Sequence, residues 1–377
     1  MKEITTDIIV DDMDNEIEEG ETDGNLNIQD YPLKEVRIDK GRMSVYDFKR
    51  KYDNPERGNI ILNPDFQRND DVWGKRQKSE LIESILIGIP LPVIYFFQDA
   101  NGKKQVVDGR QRLTCIADYI DGKFTLDKLR ILSDISGKKF KDLSSDYKNK
   151  LEDYQLEIYT ILPPTPERVK FDIFDRINRG GTKLSNQEMR NALYQGSSTT
   201  LIKELSECAE FKGATDNTIR SRGMKDRYII LRLISFYLVR TRAIKEHNTA
   251  SGIDEFLAKT MQEINKKDIS AYLDLKNDFK NAMKQVIKNG GSDIFRFKSK
   301  DDRKRPINMG LFECISYGFM IALENKKTID IDRLEILKSK HFDNPDRFTF
   351  GIDSVENVNF RFGEIEKLIG INNASRN

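Results

Sequence analysis

The spacing of apolar positions changes along the chain and predicts two kinds of structure. Up to about residue 165, short apolar runs such as 93–97 and 156–162 predict strands, whereas 76–88 carries apolar residues at helical spacing. From about residue 198 onward nearly every segment has helical spacing, and 226–242 is apolar enough to lie inside a core. The pattern therefore predicts an α+β fold with a helical C-terminal half.

Turn and cap residues predict where individual elements end. Gly88 ends one helix, Asp108-Gly109 separates a strand from the helix after it, and Ser185 forms a capping box with Glu188. The predicted strands are 59–62, 93–97, 104–107 and 156–162. The predicted helices are 45–51, 76–88, 110–120 and 167–178, then 226–242, 253–265, 270–288, 308–325 and 355–369.

Composition limits the class of protein. The 377-residue chain is 38% apolar and 33% charged, which is typical of a soluble protein with a core and a charged surface. The formal net charge is only +1, so a nucleic-acid surface would have to be a local patch. No apolar run approaches the roughly 20 residues of a membrane helix, and the N-terminus lacks the pattern of a secretory signal. We therefore expect a cytoplasmic protein without a membrane partner.

The cysteines and histidines are scattered along the sequence. Cys115, Cys208 and Cys314 are widely spaced with no C-x-x-C pair, and His247 is far in sequence from His341. We expect neither a disulfide framework, nor a zinc ribbon, nor a His-based metal cluster.

Residues 1–30 are acidic and contain few large apolar groups, which predicts a disordered, solvated tail. The alternative is a regulatory segment that mimics nucleic acid in a basic site. The acidic positions are Asp11, Asp12, Asp14, Glu16, Glu18, Glu19 and Glu21.

The segment from Asp108 to Arg112 follows a predicted strand and opens a predicted helix. Backbone N–H groups at a helix N-terminus attract anions, and Gly109 lets the backbone approach a ligand closely. Arginines at 110 and 112 oppose the helix dipole, and such a local conflict is typical of a functional site. We expect Arg110 and Arg112 to neutralise phosphates, and Asp108 to hold Mg²⁺ or to orient a water. The alternative is a plain turn with solvated arginines, and no P-loop motif occurs.

Two further clusters are candidates for the same site. Gln67 and Arg68 offer an amide and a guanidinium in a loop that Trp73 helps to anchor. The helix end that contains Arg176 and Asn178, followed by two glycines, offers polar groups for a base, a sugar or a phosphate. An ordinary surface loop and a capped helix end are the alternatives.

Two basic runs in the second half are candidates for binding a nucleic-acid backbone, and such binding would fall steeply with salt. A solvated charged face is the alternative. The candidate DNA-binding residues are Arg220, Arg222, Lys225, Lys304 and Arg305.

Together these motifs resemble the family found as the N-terminal domain of GmrSD-type modification-dependent restriction enzymes. The resemblance covers about residues 40–195, and 222–237 is also similar to the family. The segments that carry it are 64–68 with Trp73, 81–92, 107–113 and 174–181.

The resemblance implies a small ParB/sulfiredoxin-like mixed sheet with helices, whose Asp-Gly-x-Gln-Arg turn binds phosphate. The chain then divides into a disordered acidic tail (1–30), a nucleotide-binding domain (31–165) and a helical domain (166–377). Family members are similar to NTPases of anti-phage defence, in which nucleotide turnover gates attack on foreign DNA. Arg110 departs from the motif, since relatives more often carry Gln or Lys there. The matching positions are Gln67, Arg68, Asp108, Gln111 and Arg112.

Relatives with nuclease activity carry an HNH-type metal centre, and neither histidine of this chain lies in such a motif. The sulfiredoxin cysteine also lacks a counterpart, because Cys115 falls inside a predicted apolar helix. We therefore expect an NTPase that uses a nucleoside triphosphate and Mg²⁺ and acts with a separate effector nuclease. Its catalytic residues would be Asp108, Gln111 and Arg112.

Two alternatives to an NTPase stay open. One is nucleotide-gated DNA binding without hydrolysis, which would use the same nucleotide site and the basic runs. The other is a nuclease built on Asp108, although a lone carboxylate disfavours it because metal nucleases usually assemble several. The sequence does not determine the preferred nucleotide or the partner. It also does not determine the oligomeric state, including whether the protein forms a homo-oligomer.

Overall fold

The computed structural model describes residues 17–18, 37–54, 59–62, 73–99, 102–165, 173, 176, 185–245, 247–299, 304–348 and 350–371. These residues form two compact units. One lies within Ile28–Leu193 and is called the α+β unit. The other combines Met1–Asn27 with Tyr194–Asn377 and is called the helical unit. The small mixed sheet of the first and the helices of the second confirm the predicted α+β fold class.

The strands and α-helices of the described residues have the following bounds. The strands are β1 (Ile17–Glu18), β2 (Arg37–Ser44), β3 (Ile60–Ile61), β4 (Ile94–Gln98), β5 (Lys104–Asp108), β6 (Gln155–Leu162) and β7 (Ile307–Asn308). The helices of the α+β unit are α1 (Val45–Asp53), α2 (Lys75–Leu86), α3 (Arg110–Ile120), α4 (Ser145–Asp153) and α5 (Asn186–Leu193). The helices of the helical unit are α6 (Ser197–Glu207), α7 (Ala209–Ala214), α8 (Lys225–Arg240), α9 (Ile253–Ile264), α10 (Leu273–Lys288), α11 (Met309–Glu324), α12 (Ile331–Leu337), α13 (Pro345–Phe348) and α14 (Val355–Ile369).

The sheet of the α+β unit has the strand order β2-β6-β4-β5-β3. Strand β6 pairs antiparallel with β2 and parallel with β4, while β5 pairs antiparallel with β4 and parallel with β3. Parallel neighbours need a crossover connection: α2 lies within the connection from β3 to β5, and α3 and α4 lie within the connection from β4 to β6. This order places β5, which leads into α3, beside the central strand β4.

One face of the sheet packs on the core of the α+β unit. Ile94, Phe96 and Ile158 alternate with partly exposed residues along β4 and β6, as strand geometry requires when one face is more deeply buried. Helices α2 and α3 cover this face with Ile82 and Ile116, both completely buried. Burial of each such side chain stabilises the fold by about 1.5–3 kcal/mol, so this packing fixes the position of α3.

The helical unit is built around α11, whose residues are buried from Met309 to Ala322. It packs against α8, α10 and α14. Gly318 allows α14 to approach closely, since a Cβ at this position would lie 2.6 Å from Ile365 Cγ2. The long apolar segments that predicted a helical half therefore form a single helical core.

Four charged residues form a buried ion cluster inside the helical unit. Arg232 contacts Glu313 and donates to Asp353 Oδ1 at 2.6 Å, and Arg361 donates to Glu313 Oε2 at 2.8 Å. The two positive and two negative side chains balance, and none is more than 10% exposed. Buried charges are tolerated when they are paired in this way.

A short parallel ladder joins the N-terminal residues to the helical unit. Ile17 pairs with Ile307 and Glu18 with Asn308, which forms β1 and β7. This pairing differs from the predicted disordered tail at two residues, and the rest of 1–30 lies outside the described residues. A two-residue ladder between distant segments has no local period, so no sequence pattern predicts it.

Most predicted elements agree with the structure. Helix α3 has the predicted bounds, α14 runs over 355–369, and Gly370 ends it in the left-handed region at φ 69°. The capping box is confirmed, since Ser185 N donates to Glu188 Oε2 at 2.7 Å and Glu188 N donates to Ser185 Oγ at 3.1 Å. Strand β2 was not predicted.

Two further predictions meet the limits of the described residues. Apart from positions 173 and 176, the predicted helix 167–178 lies outside them. The α+β unit includes α5 and so extends past residue 165, while the predicted domain boundaries stay a prediction. Among the described residues, no helix combines the length and apolar content needed to cross a membrane.

Candidate functional site

The junction of β5 and α3 is the centre of the candidate site. Asp108 is the last residue of β5, Gly109 is the N-cap of α3, and Arg110 begins the helix. The first turn of α3 contains no acidic residue. The positive end of the helix dipole is therefore not offset by a carboxylate within the helix, which favours binding of an anion.

Gly109 is required by both its conformation and its surroundings. Its backbone has φ 92° and ψ 7°, in the left-handed region that favours glycine. A Cβ there would lie 2.3 Å from Ile94 Cδ1 and 3.2 Å from Arg112 Nη2. The chain thus turns sharply from β5 into α3 while packed against β4 and the Arg112 guanidinium.

Arg112 folds back onto the start of its own helix. Its Nη2 donates to Asp108 Oδ2 at 2.7 Å and to Val93 O at 3.4 Å, and its Nη1 contacts Pro92 O. The Arg112 side chain is 11% exposed and that of Asp108 is 36% exposed. Burial lowers the pKa of Arg112, and the Asp108 carboxylate opposes that shift. Arg112 therefore joins β5, α3 and the loop before β4, and it orients one oxygen of Asp108.

The other predicted residues of this segment lie in the first turn of α3. Gln111 is exposed and Arg110 is partly buried. Gln67, Arg68 and Asn178 lie outside the described residues, so their predicted role in the site stays a prediction. Arg176 is described as an exposed helical residue.

The described residues contain no group of three or more His, Cys, Asp or Glu side chains that could hold a metal ion. At this junction Asp108 is a single candidate ligand. Oδ2 accepts from Arg112 Nη2, and the Asp108 side chain as a whole is 36% exposed. This fits a Mg²⁺ ion that arrives with a nucleotide, because Mg²⁺ often uses one or two carboxylates and takes its remaining ligands from phosphate and water.

Cys115 follows the site in α3 but belongs to the core. Its Sγ donates to Lys78 O at 3.5 Å, and burial raises the pKa of the thiol to about 12. A thiol that stays protonated near neutral pH is a poor nucleophile. The prediction that Cys115 is a core residue is confirmed.

Helix α5 carries buried polar residues of which the sequence indicated only Glu188, as a helix cap. It packs against β5, the strand that ends at Asp108. Gln187, Glu188, Arg190 and Asn191 are all buried on it. The signal was a run of consecutive polar residues directly after the Ser185 cap, a run too polar for a helix that packs by apolar contacts alone.

In the helical unit, Arg296 links the two predicted basic runs. Its guanidinium is 8% exposed, contacts Arg305 O and lies 3.5 Å from Thr218 Oγ1. Arg220 and Arg222, both exposed, follow Thr218 in sequence. The structure therefore brings the two basic runs close together around Arg296, and we call this region the basic neighbourhood.

Acidic residues neutralise part of this basic neighbourhood. Lys304 Nζ donates to Asp216 Oδ2 at 2.8 Å and lies 3.0 Å from Asp293 Oδ1. Arg305 stacks over Phe297 at 5.5 Å from the ring centroid. Lys225 is half-buried at the start of α8. Of the predicted DNA-binding residues, Arg220, Arg222 and Lys304 are exposed, whereas Lys225 and Arg305 are partly buried.

Residues 48–195 match the family model of the GmrSD restriction endonuclease, N-terminal domain. The matched segment runs from within α1 to just past α5 and contains β5, Gly109 and α3. The match confirms the resemblance drawn from the sequence. No curated protein matches the chain.

Proposed function

We propose that this protein serves a restriction-type defence system and that residues 48–195, which match the GmrSD restriction endonuclease N-terminal domain, bind and hydrolyse a nucleoside triphosphate. The observation that carries the proposal is the Asp108–Arg112 ion pair at the N-terminus of α3. The pair places a carboxylate and a guanidinium at a helix terminus whose first turn has no acidic residue. A polyphosphate site needs groups of these kinds.

Each part would have a separate task. The first-turn backbone N–H groups and Arg110 would stabilise the negative charge of the phosphates. Asp108 would orient a water whose oxygen bonds to the γ-phosphorus as the bond between that phosphorus and the β,γ-bridging oxygen breaks. Bound Mg²⁺ would supply neutralisation of phosphate charge. Arg112 would act as a positioning residue, because it holds Asp108 and the loop carbonyls at 92 and 93 in place.

The test measures nucleotide binding by calorimetry and phosphate release with each NTP and Mg²⁺. We expect Asp108→Asn to bind nucleotide and to lose phosphate release by at least about tenfold, since it keeps the shape but not the charge. Arg112→Lys would lose both, because an ammonium cannot reproduce the fork of contacts.

A matched control tests whether the site itself is responsible. Arg76 forms an i,i+4 pair with Glu80 on α2 in the same unit, with Arg76 Nε 3.0 Å from Glu80 Oε1 and both side chains exposed. Arg76→Lys should behave like wild type. Phosphate release at the wild-type rate by both Asp108→Asn and Arg112→Lys would overturn the proposal.

The basic neighbourhood of the helical unit favours a second candidate, nucleotide-gated DNA binding without hydrolysis. Its support is the link from Arg296 to Arg305 and Thr218. We expect Arg220→Ala combined with Arg222→Ala to weaken binding of short duplex DNA and to reduce its salt dependence. Lys340→Ala, another exposed basic change, is the control. A DNA affinity that is the same with and without nucleotide would exclude nucleotide gating.

A further inference from the structure

A row of four residues crosses the sheet of the α+β unit and ends at the candidate site. Lys40 of β2 pairs in register with Tyr159 of β6, Tyr159 with Tyr95 of β4, and Tyr95 with Asp108 of β5. Residues directly opposite each other on paired strands present their side chains to the same face. The row therefore lies on one face of the sheet.

This face is the one opposite the core of the α+β unit. Along β4 and β6, the neighbours of the two tyrosines point the other way and are buried, as Ile94, Phe96 and Ile158 are. Tyr95 and Tyr159 themselves are only partly buried, and Lys40 is exposed. Tyr95 and Tyr159 are thus partly accessible from the face on which the row lies, whereas Phe97 and Ile161, two positions further along the same face, are buried.

The side chains of the row contact one another. The rings of Tyr95 and Tyr159 meet edge to face, with centroids 5.6 Å apart and planes at 79°. Lys40 Nζ lies 5.1 Å from the centroid of Tyr159. These contacts hold the rings in fixed orientations, so the tyrosine side chains would lose little further conformational entropy when a ligand stacks on them.

A one-residue irregularity brings the row to Asp108. The register shifts between Tyr95 and Phe96, so that β5 has one residue more than β4 at its end. Such a bulge redirects side chains and is common beside functional sites. With strands about 4.8 Å apart, Tyr95 and Tyr159 lie within about 10 Å of Asp108 across the sheet.

We propose that Tyr95 and Tyr159 form the stacking surface for the base of the nucleotide whose phosphates bind at Asp108–Arg112. This inference rests on the proposed nucleotide site. On the other side of Asp108, the neighbour of β5 is the short strand β3, which pairs with Lys104 and Gln105 and does not reach Asp108. Among the described strands, the aromatic row is therefore what a base would meet as it extends from the phosphates. Lys40 provides a donor at the far end.

The test compares a nucleoside triphosphate with inorganic tripolyphosphate, which lacks base and ribose, by calorimetry on the full chain. We expect wild type to bind the nucleotide more tightly. Tyr95→Ala and Tyr159→Ala should each weaken nucleotide binding roughly 5- to 100-fold, as expected for loss of one stacking contact, and should leave tripolyphosphate binding unchanged. Tyr95→Phe and Tyr159→Phe, which keep the rings, should stay near wild type.

The exposed Tyr46 of α1 lies outside the row, and Tyr46→Ala is the matched control. Wild-type nucleotide affinity in both row alanine variants, or an equal loss for nucleotide and tripolyphosphate, would overturn the inference. Equal affinity of wild type for tripolyphosphate and nucleotide would also overturn the inference. That result would still be consistent with the proposed phosphate site at Asp108–Arg112. Binding of neither compound by wild type would overturn the proposed nucleotide site as well.

Discussion

The carboxylate of Glu83 accepts the backbone N–H of Ile131 at 2.8 Å, across 48 positions of sequence. The N–H groups of Leu132, at 2.8 Å, and Arg130, at 3.3 Å, donate to the same buried carboxylate. Glu83 thereby ties α2, which covers the core of the α+β unit, to the loop that follows α3. Burial alone would raise the pKa of Glu83, but the three backbone hydrogen bonds outweigh it, so the pKa lies below its ordinary value of 4.5.

Glu83→Gln should destabilise the α+β unit at pH 7 by about 1–3 kcal/mol. The side-chain NH₂ of glutamine is a donor, so it cannot accept hydrogen bonds from the backbone N–H groups that the carboxylate accepts. Because the pKa of Glu83 is lower in the folded state than its ordinary value of 4.5, the ionised carboxylate stabilises the fold at pH values above 4.5. This stabilisation is lost as the pH falls through the folded-state pKa. The difference from wild type should therefore shrink in acid. Urea unfolding at pH 7 and pH 3 measures it. Glu80→Gln, exposed on the same helix, should stay within about 0.5 kcal/mol.

Gly109→Ala should destabilise the α+β unit and disturb the start of α3. Both the left-handed backbone and the 2.3 Å approach to the buried Ile94 Cδ1 oppose a methyl group. Gly137 separates these effects, since its φ is 82° and a Cβ there would meet nothing within 4 Å. We expect about 1 kcal/mol for Gly137→Ala and at least twice that for Gly109→Ala in thermal unfolding. Equal losses would show that the contact with Ile94 is unimportant.

A pair of glycines tests the packing of the helical unit. A Cβ at Gly318 would lie 2.6 Å from Ile365 Cγ2, whereas a Cβ at Gly363 would meet nothing within 4 Å. Gly318→Ala should force α11 and α14 apart and cost about 1–3 kcal/mol. Gly363→Ala should stabilise the unit by about 0.5–1 kcal/mol, because alanine is the better helix former. Urea unfolding followed by circular dichroism distinguishes the two, and the same sign for both would contradict this account.

Glu313→Gln should destabilise the helical unit strongly. The substitution leaves Arg232 and Arg361 buried with Asp353 as their one remaining carboxylate in the ion cluster. Loss of one partner from a buried pair costs about 3–5 kcal/mol. The exposed pair of Arg347 Nη1 and Glu356 Oε1, at 2.7 Å, provides the comparison, and Glu356→Gln should cost under about 1 kcal/mol. A stable Glu313→Gln protein would show that the cluster tolerates net positive charge.

Local signals in the sequence predicted much of the fold. The bounds of α3 and α14 followed from apolar spacing and glycine stops, and the Ser185–Glu188 capping box followed from residue identity alone. These features depend on neighbours within one helical turn. That dependence is why a single sequence is sufficient to find them.

Features that depend on distant contacts were missed. Strand β2 is exposed along most of its length and so lacks the alternation of apolar and polar residues that identifies half-buried strands. The pairing of Arg232 with Glu313 spans 81 positions and joins two predicted helices, of which 226–242 was predicted to be an apolar core helix. The aromatic row was invisible for the same reason, since only strand register brings Tyr95, Tyr159 and Asp108 together.

The site was predicted in part. Residue types indicated the strand, glycine turn and helix correctly, and they indicated an arginine-rich helix start. They did not indicate that Arg112 would point back at Asp108 and at carbonyls 19 and 20 positions earlier. Its direction depends on how the loop before β4 packs against α3, which is a tertiary property.

The ladder between β1 and β7 has a practical consequence for dissecting this protein. The α+β unit is inserted, in chain order, between β1 and the segment that carries β7. A fragment that starts at residue 194 would therefore lose the strand that hydrogen-bonds to Ile307 and Asn308, and exposed strand edges invite pairing with other chains. Isolation of the helical unit calls for a chain in which a short linker replaces residues 28–193, so that 1–27 stay joined to position 194.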